Sequence, residues 1–245
     1  MAINKPLIKE KKSIIVALDV SELKKAERIV KETCRIEGIG GYKIGLALTL
    51  IYGLPQIISL IRKITNLPII YDHQKGGTDI PEIGEIFAAN CKKAGLDGVI
   101  LFPFSGKQTE IYWIDACQKN NLTVLVGAHM THPTFLISEG GFIDDYAPEK
   151  IFQIAAEKGI KDFVVPGNKP EYIEKYRNLL ENILGKGNFT FYAPGFVTQG
   201  GEISETGKVA GEKWHAIVGS AIYKANNFRK AALTLTSEIK KLNHQ

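Results

Sequence analysis

The sequence predicts a single α/β domain closed as a (β/α)8 TIM barrel, and three observations predict it. A chain of 245 residues suits one such unit, since α/β barrels commonly run to roughly 200–250 residues as one domain. Eight short β-branched runs recur, their starts 28, 26, 30, 25, 39, 27 and 26 residues apart. The segments between them carry apolar residues at helical spacing, while the runs themselves are continuously apolar, as a parallel sheet covered by helices requires. A doubly wound open sheet is the runner-up, but it rarely needs eight units of such regular spacing. No linker, low-complexity tract or composition shift divides the chain, so residues 1–245 read as one domain.

The first run is SIIVALD (13–19), followed by SELKKAERIVKETCRIEG, where Leu23, Ala26, Ile29, Val30 and Thr33 form one stripe. Ser21 is the expected N-cap of that helix. GYKIGLAL (41–48) is the second run and LPIIYD (67–72) the third. PEIGEIFAANCKKAG then has proline in its first turn and glycine at its end, the usual asymmetry of a helix. DGVILFPF (97–104) and LTVLVGAH (122–129) follow, and PEKIFQIAAEKG repeats the proline-to-glycine form. KDFVVPG (161–167), NFTFYAPG (188–195) and WHAIVGS (214–220) complete the eight.

Hydrophobic residues at 44% and charged residues at 23% exclude disorder, collagen and coiled coil. The longest apolar stretch, LALTLIYGLPQIISLI, is broken by Gly53, Pro55 and Gln56, so no membrane span fits. MAINKPLIKEKK lacks the apolar centre of a signal peptide. Cys34, Cys91 and Cys117 are few, odd in number and without a CxxC, as for buried reduced thiols of a cytoplasmic protein. The net charge of +5 is spread among carboxylates with no basic block. Nucleic-acid binders usually concentrate such charge in a patch, and a mild excess suits a phosphorylated small molecule equally well, so composition alone does not choose.

Barrel enzymes place their chemistry at the C-terminal ends of the strands. The polar residues falling there are Asp19, Lys43, Asp72, Lys75 and Asp79, then His129, Thr131 and His132, then Asn168 beside Pro166. Gln199, Gly200 and Gly201 follow the seventh strand, Gly219 and Ser220 the eighth. Each has a bland reading. Asp72 with Lys75 could be a strand-end salt bridge, Gln199 a solvated loop residue, and Lys224 an ordinary surface charge. His132 reads as a packed histidine fixing the turn before Pro133. His129 and His132 lack further ligands at metal spacing, so no metal site is expected. Two lysines and three carboxylates at one mouth are harder to set aside.

Six segments in order carry a resemblance: VALD, YKIGLAL, YDHQKGGTDIP, MTHP, APGFVTQGG and AIVGSAIY. Together they resemble the orotidine 5′-monophosphate decarboxylase family, whose third-strand signature is D-x-K-x-x-D-I-P and whose seventh-strand signature is P-G-x-x-x-Q-G-G. Two departures stand out. Here the third-strand signature reads D-x-x-K-x-x-x-D, one residue longer in each gap, so Asp72 and Lys75 can share a face only through a bulge or turn that Gly76 and Gly77 help close. At the family's phosphate-binding arginine stands Ser220, which can offer a hydroxyl but not a bidentate charged clamp. Lys224, one helical turn on, is expected to compensate.

The resemblance implies a cofactor-free decarboxylation of orotidine 5′-monophosphate in pyrimidine biosynthesis. Losing CO2 from the ring leaves a lone pair in the ring plane that no π-system can spread, so fixed charge must stabilise it. It further implies that Lys75 is that cation and the proton donor, with Asp72 and Lys43 completing a row of alternating charge. Asp79 would reach into the neighbouring site of a homodimer. Asp19 would bind ribose, Thr131 the pyrimidine edge, and Gln199 both base and phosphate. Pro194, Gly200, Gly201, Gly219, Ser220 and Lys224 would complete the nucleotide site. Two alternatives stay open: a Mg²⁺-dependent hexulose-6-phosphate synthase-like aldolase, and a non-catalytic nucleotide-binding barrel.

Overall fold

Each of the eight apolar runs becomes a strand, because residues covered on both faces must satisfy their backbone by pairing. The computed structural model describes residues 6–73, 76–195 and 207–242. Strands β1 (Lys12–Ala17), β2 (Ile39–Ile44), β3 (Ile69–Asp72), β4 (Gly98–Leu101), β5 (Thr123–Gly127), β6 (Asp162–Val164), β7 (Thr190–Pro194) and β8 (Trp214–Val218) pair in sequence order as a closed barrel. All eight ladders are parallel, and β8 closes on β1 with Val16 opposite Val218. The helices are α1 (Leu23–Thr33), α2 (Leu46–Arg62), α3 (Ile83–Ala94), α4 (Lys107–Lys119), α5 (Ala147–Glu157), α6 (Pro170–Leu184), a single turn α7 (Ser220–Tyr223) and α8 (Phe228–Leu242).

The side-chain period of two divides the apolar residues into two cores. Ile15, Ala17, Ile70, Ile100, Phe102, Leu125, Val164, Tyr192 and Ile217 pack inside the barrel. Their strand neighbours, such as Val16, Ile44, Tyr71 and Val126, pack outward against the helices. The α1 stripe behaves as its spacing predicts: Ala26, Ile29, Val30 and Thr33 are buried and Leu23 packs at the edge. Each large aliphatic residue so buried contributes roughly 1.5–3 kcal/mol.

The structure corrects several local expectations. The cap position of α1 is Glu22 rather than Ser21, and its side chain makes no capping bond. The second run ends as a strand at Ile44; Leu46 onward is helical, because LALTLIYGLPQIISLI has the length of a helix and covers the barrel. That helix bends at Gly53 (φ 66), two residues before Pro55. The 39-residue spacing after the fifth run is a long β5–α5 loop holding a 3-10 turn at Ile137–Glu139 and a bridge between Leu136 and Ile143. The three cysteines are free, Cys91 and Cys117 buried and Cys34 partly so. Among the described residues no helix is long and apolar enough to cross a membrane.

Candidate active site

Strand alternation brings three charged side chains to one place. Lys43 is the next-to-last residue of β2, paired across the ladders with Ala17 of β1 and Ile70 of β3. Those neighbours face the barrel interior, and so does Lys43. Asp72 ends β3 two residues beyond Ile70 and therefore on the same face. Asp19 lies two residues past Ala17.

The Lys43 ammonium donates to Asp72 Oδ2 at 2.9 Å and to Asp19 Oδ1 and Oδ2 at 3.1 and 3.2 Å. Lys43 and Asp72 are buried, while the Asp19 side chain is 42% exposed. Burial alone would pull the lysine's pKa down, but Asp72 and Asp19 outweigh it and hold it above its ordinary value. Lys43 therefore stays charged. Gly45 makes room for this row, since a β-carbon there would come within 2.4 Å of Asp19 Oδ1. Asp72 Oδ1 is buried with no hydrogen-bond partner among the described residues.

The row lies in a cavity of about 340 Å³ at the C-terminal mouth. Asp19, Lys43, Asp72, Thr131, Pro194, Gly219 and Ser220 all line it, so seven residues named from the sequence converge there. Ile100, Phe102, Val164 and Ile217 supply an apolar floor, and His129, Met130, His132 and Tyr223 complete the wall. Two larger cavities lie elsewhere. One of about 600 Å³, at the opposite end of the barrel, is lined by Asp162, Tyr192 and His215 among others. The other, of about 480 Å³, is lined by surface residues around Lys186 and Lys208. Neither contains a residue of the constellation, so convergence of charge, not volume, identifies the site.

Three expected site residues, Lys75, Gln199 and Gly200, lie outside the described residues, as does Gly201. Among the described residues that flank the first of them, Gly76 N–H donates to the His73 carbonyl at 2.6 Å, and Gly77 takes φ +84. Asp79 does not line the cavity; it is exposed, and its Oδ1 accepts the Ile80 N–H at 2.7 Å. Lys224 is also exposed and outside the lining, at the end of α7. His132 is not packed as expected: it is exposed, touching Phe135 edge-on, while His129 is the buried one of the two. Among the described residues no three His, Cys, Asp or Glu side chains are placed to share a metal ion.

Sequence reasoning missed a second charged cluster beside the cavity. Lys169 Nζ meets His129 Nε2 at 2.9 Å and Glu139 Oε1 at 2.5 Å, and His129 Nδ1 lies 2.8 Å from the Tyr176 hydroxyl. An ammonium only donates, so Nε2 presents its lone pair and Nδ1 carries the proton. Burial, then the Lys169 charge, lowers the His129 pKa to about 4 and keeps the ring neutral. Burial would raise the Glu139 carboxyl, but Lys169 and the backbone N–H groups of Phe135 and Leu136 hold it low. The one sequence signal for this cluster was the anomalous 39-residue spacing that contains Glu139.

Comparison with known proteins gives a consistent result. Residues 12–235 match the family model described as Orotidine 5′-phosphate decarboxylase / HUMPS family. Orotidine 5′-phosphate decarboxylase of Methanosarcina barkeri is 34% identical, covering 94% of this chain and 96% of its own. That of Thermococcus kodakarensis is 30% identical over 94% of this chain and 98% of its own. Among solved structures, orotidine 5′-phosphate decarboxylase from Pyrococcus horikoshii superposes with a TM-score of 0.76 at 30% identity, covering 93% of this chain and 99% of that one. The Methanocaldococcus jannaschii enzyme complexed with inhibitor BMP gives 0.79 at 27% identity, covering 92% and 97%.

Proposed function

The chain belongs to the orotidine 5′-phosphate decarboxylase / HUMPS family, and from that premise we propose that it releases CO2 from orotidine 5′-phosphate to give uridine 5′-monophosphate. It is a carboxy-lyase of pyrimidine biosynthesis. The observation that carries this reading is the Asp19–Lys43–Asp72 row, with its buried cation, lining the mouth cavity. The relatives named above are decarboxylases, which favours this branch of the family over the aldolase one.

The reaction builds negative charge on one ring carbon, and a fixed cation in a water-poor cavity is the economical way to meet it. Lys75 takes that role and delivers the proton. Asp72 aims Lys75 and repels the substrate carboxylate; like charges about 4 Å apart cost roughly 4 kcal/mol at an effective dielectric near 20, relieved as CO2 leaves. Lys43 orients Asp72 through its hydrogen bond to Oδ2. Asp19, partly exposed beside it, accepts from a ribose hydroxyl. Thr131 bonds the pyrimidine edge and Gln199 closes over base and phosphate. Pro194, Gly200, Gly219, Ser220 and Lys224 hold the phosphate end. No cofactor enters.

We further read the active unit as a cytoplasmic homodimer of single-domain chains in which Asp79 serves the neighbouring site. Its exposure supports this, as do the exposed apolar side chains of Ile80, Leu50 and Ile51. The test is CO2 release from orotidine 5′-phosphate by the purified chain in the presence of EDTA. Turnover that survives chelation is expected. Binding of uridine 5′-monophosphate without turnover, or aldol activity that requires Mg²⁺, would overturn the proposal.

A further inference from the structure

The residue read as the pyrimidine contact, Thr131, lies in the long β5–α5 loop, and a loop of that length has no fixed place unless something holds it. Five hydrogen bonds of Lys169, Glu139 and Asn168 help hold this one. Lys169 Nζ joins His129 Nε2, two residues before Thr131, to Glu139 Oε1 beyond it. Glu139 Oε2 accepts the N–H groups of Phe135 and Leu136 at 3.1 and 3.3 Å, closing the far side of the segment. Asn168 Nδ2 donates to the Thr131 carbonyl at 3.0 Å. Both Asn168 and Lys169 come from the turn before α6, where Pro170 restricts the backbone of the residue preceding it.

The anchor itself is rigid. The His129 ring stacks on Phe135 with centroids 5.5 Å apart and meets Tyr172 edge-on at 4.5 Å. The Lys169 side chain is only 12% exposed, yet it does not line the cavity, so any influence on a ligand passes through the loop. The charged groups that bear on His129 are Lys169, Glu139 and Asp145. With the ammonium removed, the imidazole would be left facing the Glu139 carboxylate, now 3.8 Å away.

We propose that Lys169 is a positioning residue that sets Thr131 against the substrate base by clamping His129 to Glu139. This rests on the reading of Thr131 given above. It is separate from the charge row, which lies on other strands.

The test measures kcat and KM for orotidine 5′-phosphate and Kd for uridine 5′-monophosphate in the full chain carrying Lys169→Met, Lys169→Arg, Thr131→Ala, and Lys169→Met with Thr131→Ala. Lys169→Met is expected to raise KM and Kd about tenfold while kcat changes by less than about threefold, as loss of a uniform binding contact should. Lys169→Arg, which keeps the cation, recovers most of the affinity. The affinity of Lys169→Met should also become more sensitive to acid than that of the wild type, since losing the ammonium lets the His129 pKa rise while burial still holds it low. In the Thr131→Ala background the same lysine change costs little more, because two changes acting through one contact do not add.

Additive losses in the double variant, or wild-type affinity in Lys169→Met, would overturn the clamp. Unchanged affinity in Thr131→Ala alone would instead overturn the Thr131 assignment. If Lys169→Met fails to fold, Glu139→Gln removes the charge at the other end of the clamp. It should weaken Kd about threefold, the value of one hydrogen bond, and no change there would refute the proposal.

Discussion

Replacing Lys43 with methionine keeps much of the side chain's bulk and removes the cation 2.9 Å from Asp72 and 3.1 Å from Asp19. At about 3 Å and an effective dielectric near 20, each attraction is worth roughly 5–6 kcal/mol before desolvation. Solvent screens the Asp19 contact, because that carboxylate is 42% exposed, so the buried Asp72 contact carries most of the effect. Desolvation offsets part of the gain in the intact pair, but a buried charge left without its partner typically costs about 3–5 kcal/mol. For a chain of this length that is a fall in Tm of about 10 °C. The sign of the pH dependence follows. The wild-type ammonium has a pKa above its ordinary 10.5, so its contribution is complete at neutral pH and fades only as pH rises past that value. The loss in the variant should therefore be full at neutral pH and shrink only well into the alkaline range, where the wild-type ammonium itself is lost. Thermal unfolding at neutral pH checks the stability, and CO2 release checks the chemistry. With Asp72 no longer aimed, kcat/KM should fall by about 10² or more. A Tm within a degree or two of wild type, or near-native turnover, would show that the row is not the charged frame of the site.

Other outcomes follow from the proposed function and from the described structure. If Lys75 has the role proposed above, Lys75→Ala should leave the fold and nucleotide affinity largely intact while lowering kcat by at least about 10³, more than a single electrostatic contact alone, because the proposed proton donor goes with it. Inactive Lys75→Ala and Asp79→Ala proteins should regain activity when unfolded together and refolded as mixed dimers, since one of the two sites then has both residues; no recovery would place Asp79 in its own chain's site or in none. Lys224→Ala should raise KM about threefold with kcat little changed, the modest effect of an exposed charge, and an unchanged KM removes Lys224 from the phosphate site. Glu110 on α4 is almost wholly buried, and burial pushes its carboxyl up to about 8. The folded chain therefore holds a proton that the unfolded chain releases from about pH 4.5 upward, and stability should decline up to about pH 8. Glu110→Gln should flatten that decline and raise Tm at the alkaline end; equal pH slopes in the two proteins would refute the assignment.

Fold and site were not equally legible. The barrel was, because strand and helix periodicity are local properties and eight repeats at similar spacing leave few ways to close. The strand-end rule then named Asp19, Lys43, Asp72, Thr131, Gly219 and Ser220, which share one cavity with Pro194, a residue that the family resemblance added. What failed was the detail that local pattern does not encode. A favourable cap residue at Ser21 was displaced by one position. The apolar LAL after Ile44 could join strand or helix on composition, and packing on the barrel chose helix. His132 and His129 looked alike in sequence, but only the ring of His129 meets Tyr172, Tyr176 and Phe135 together.

By itself, then, the sequence determined the order and period of the elements, and with them which side chains end at the mouth, because each strand's alternation fixes inside and outside residue by residue. Only the tertiary structure decided that Lys43 sits between two carboxylates from neighbouring strands, and that Lys169 reaches His129 and Glu139, 40 and 30 positions away in the chain. Those contacts depend on strand register, loop path and shared burial. Such properties exist only once distant segments have met, and no local pattern of residues records them.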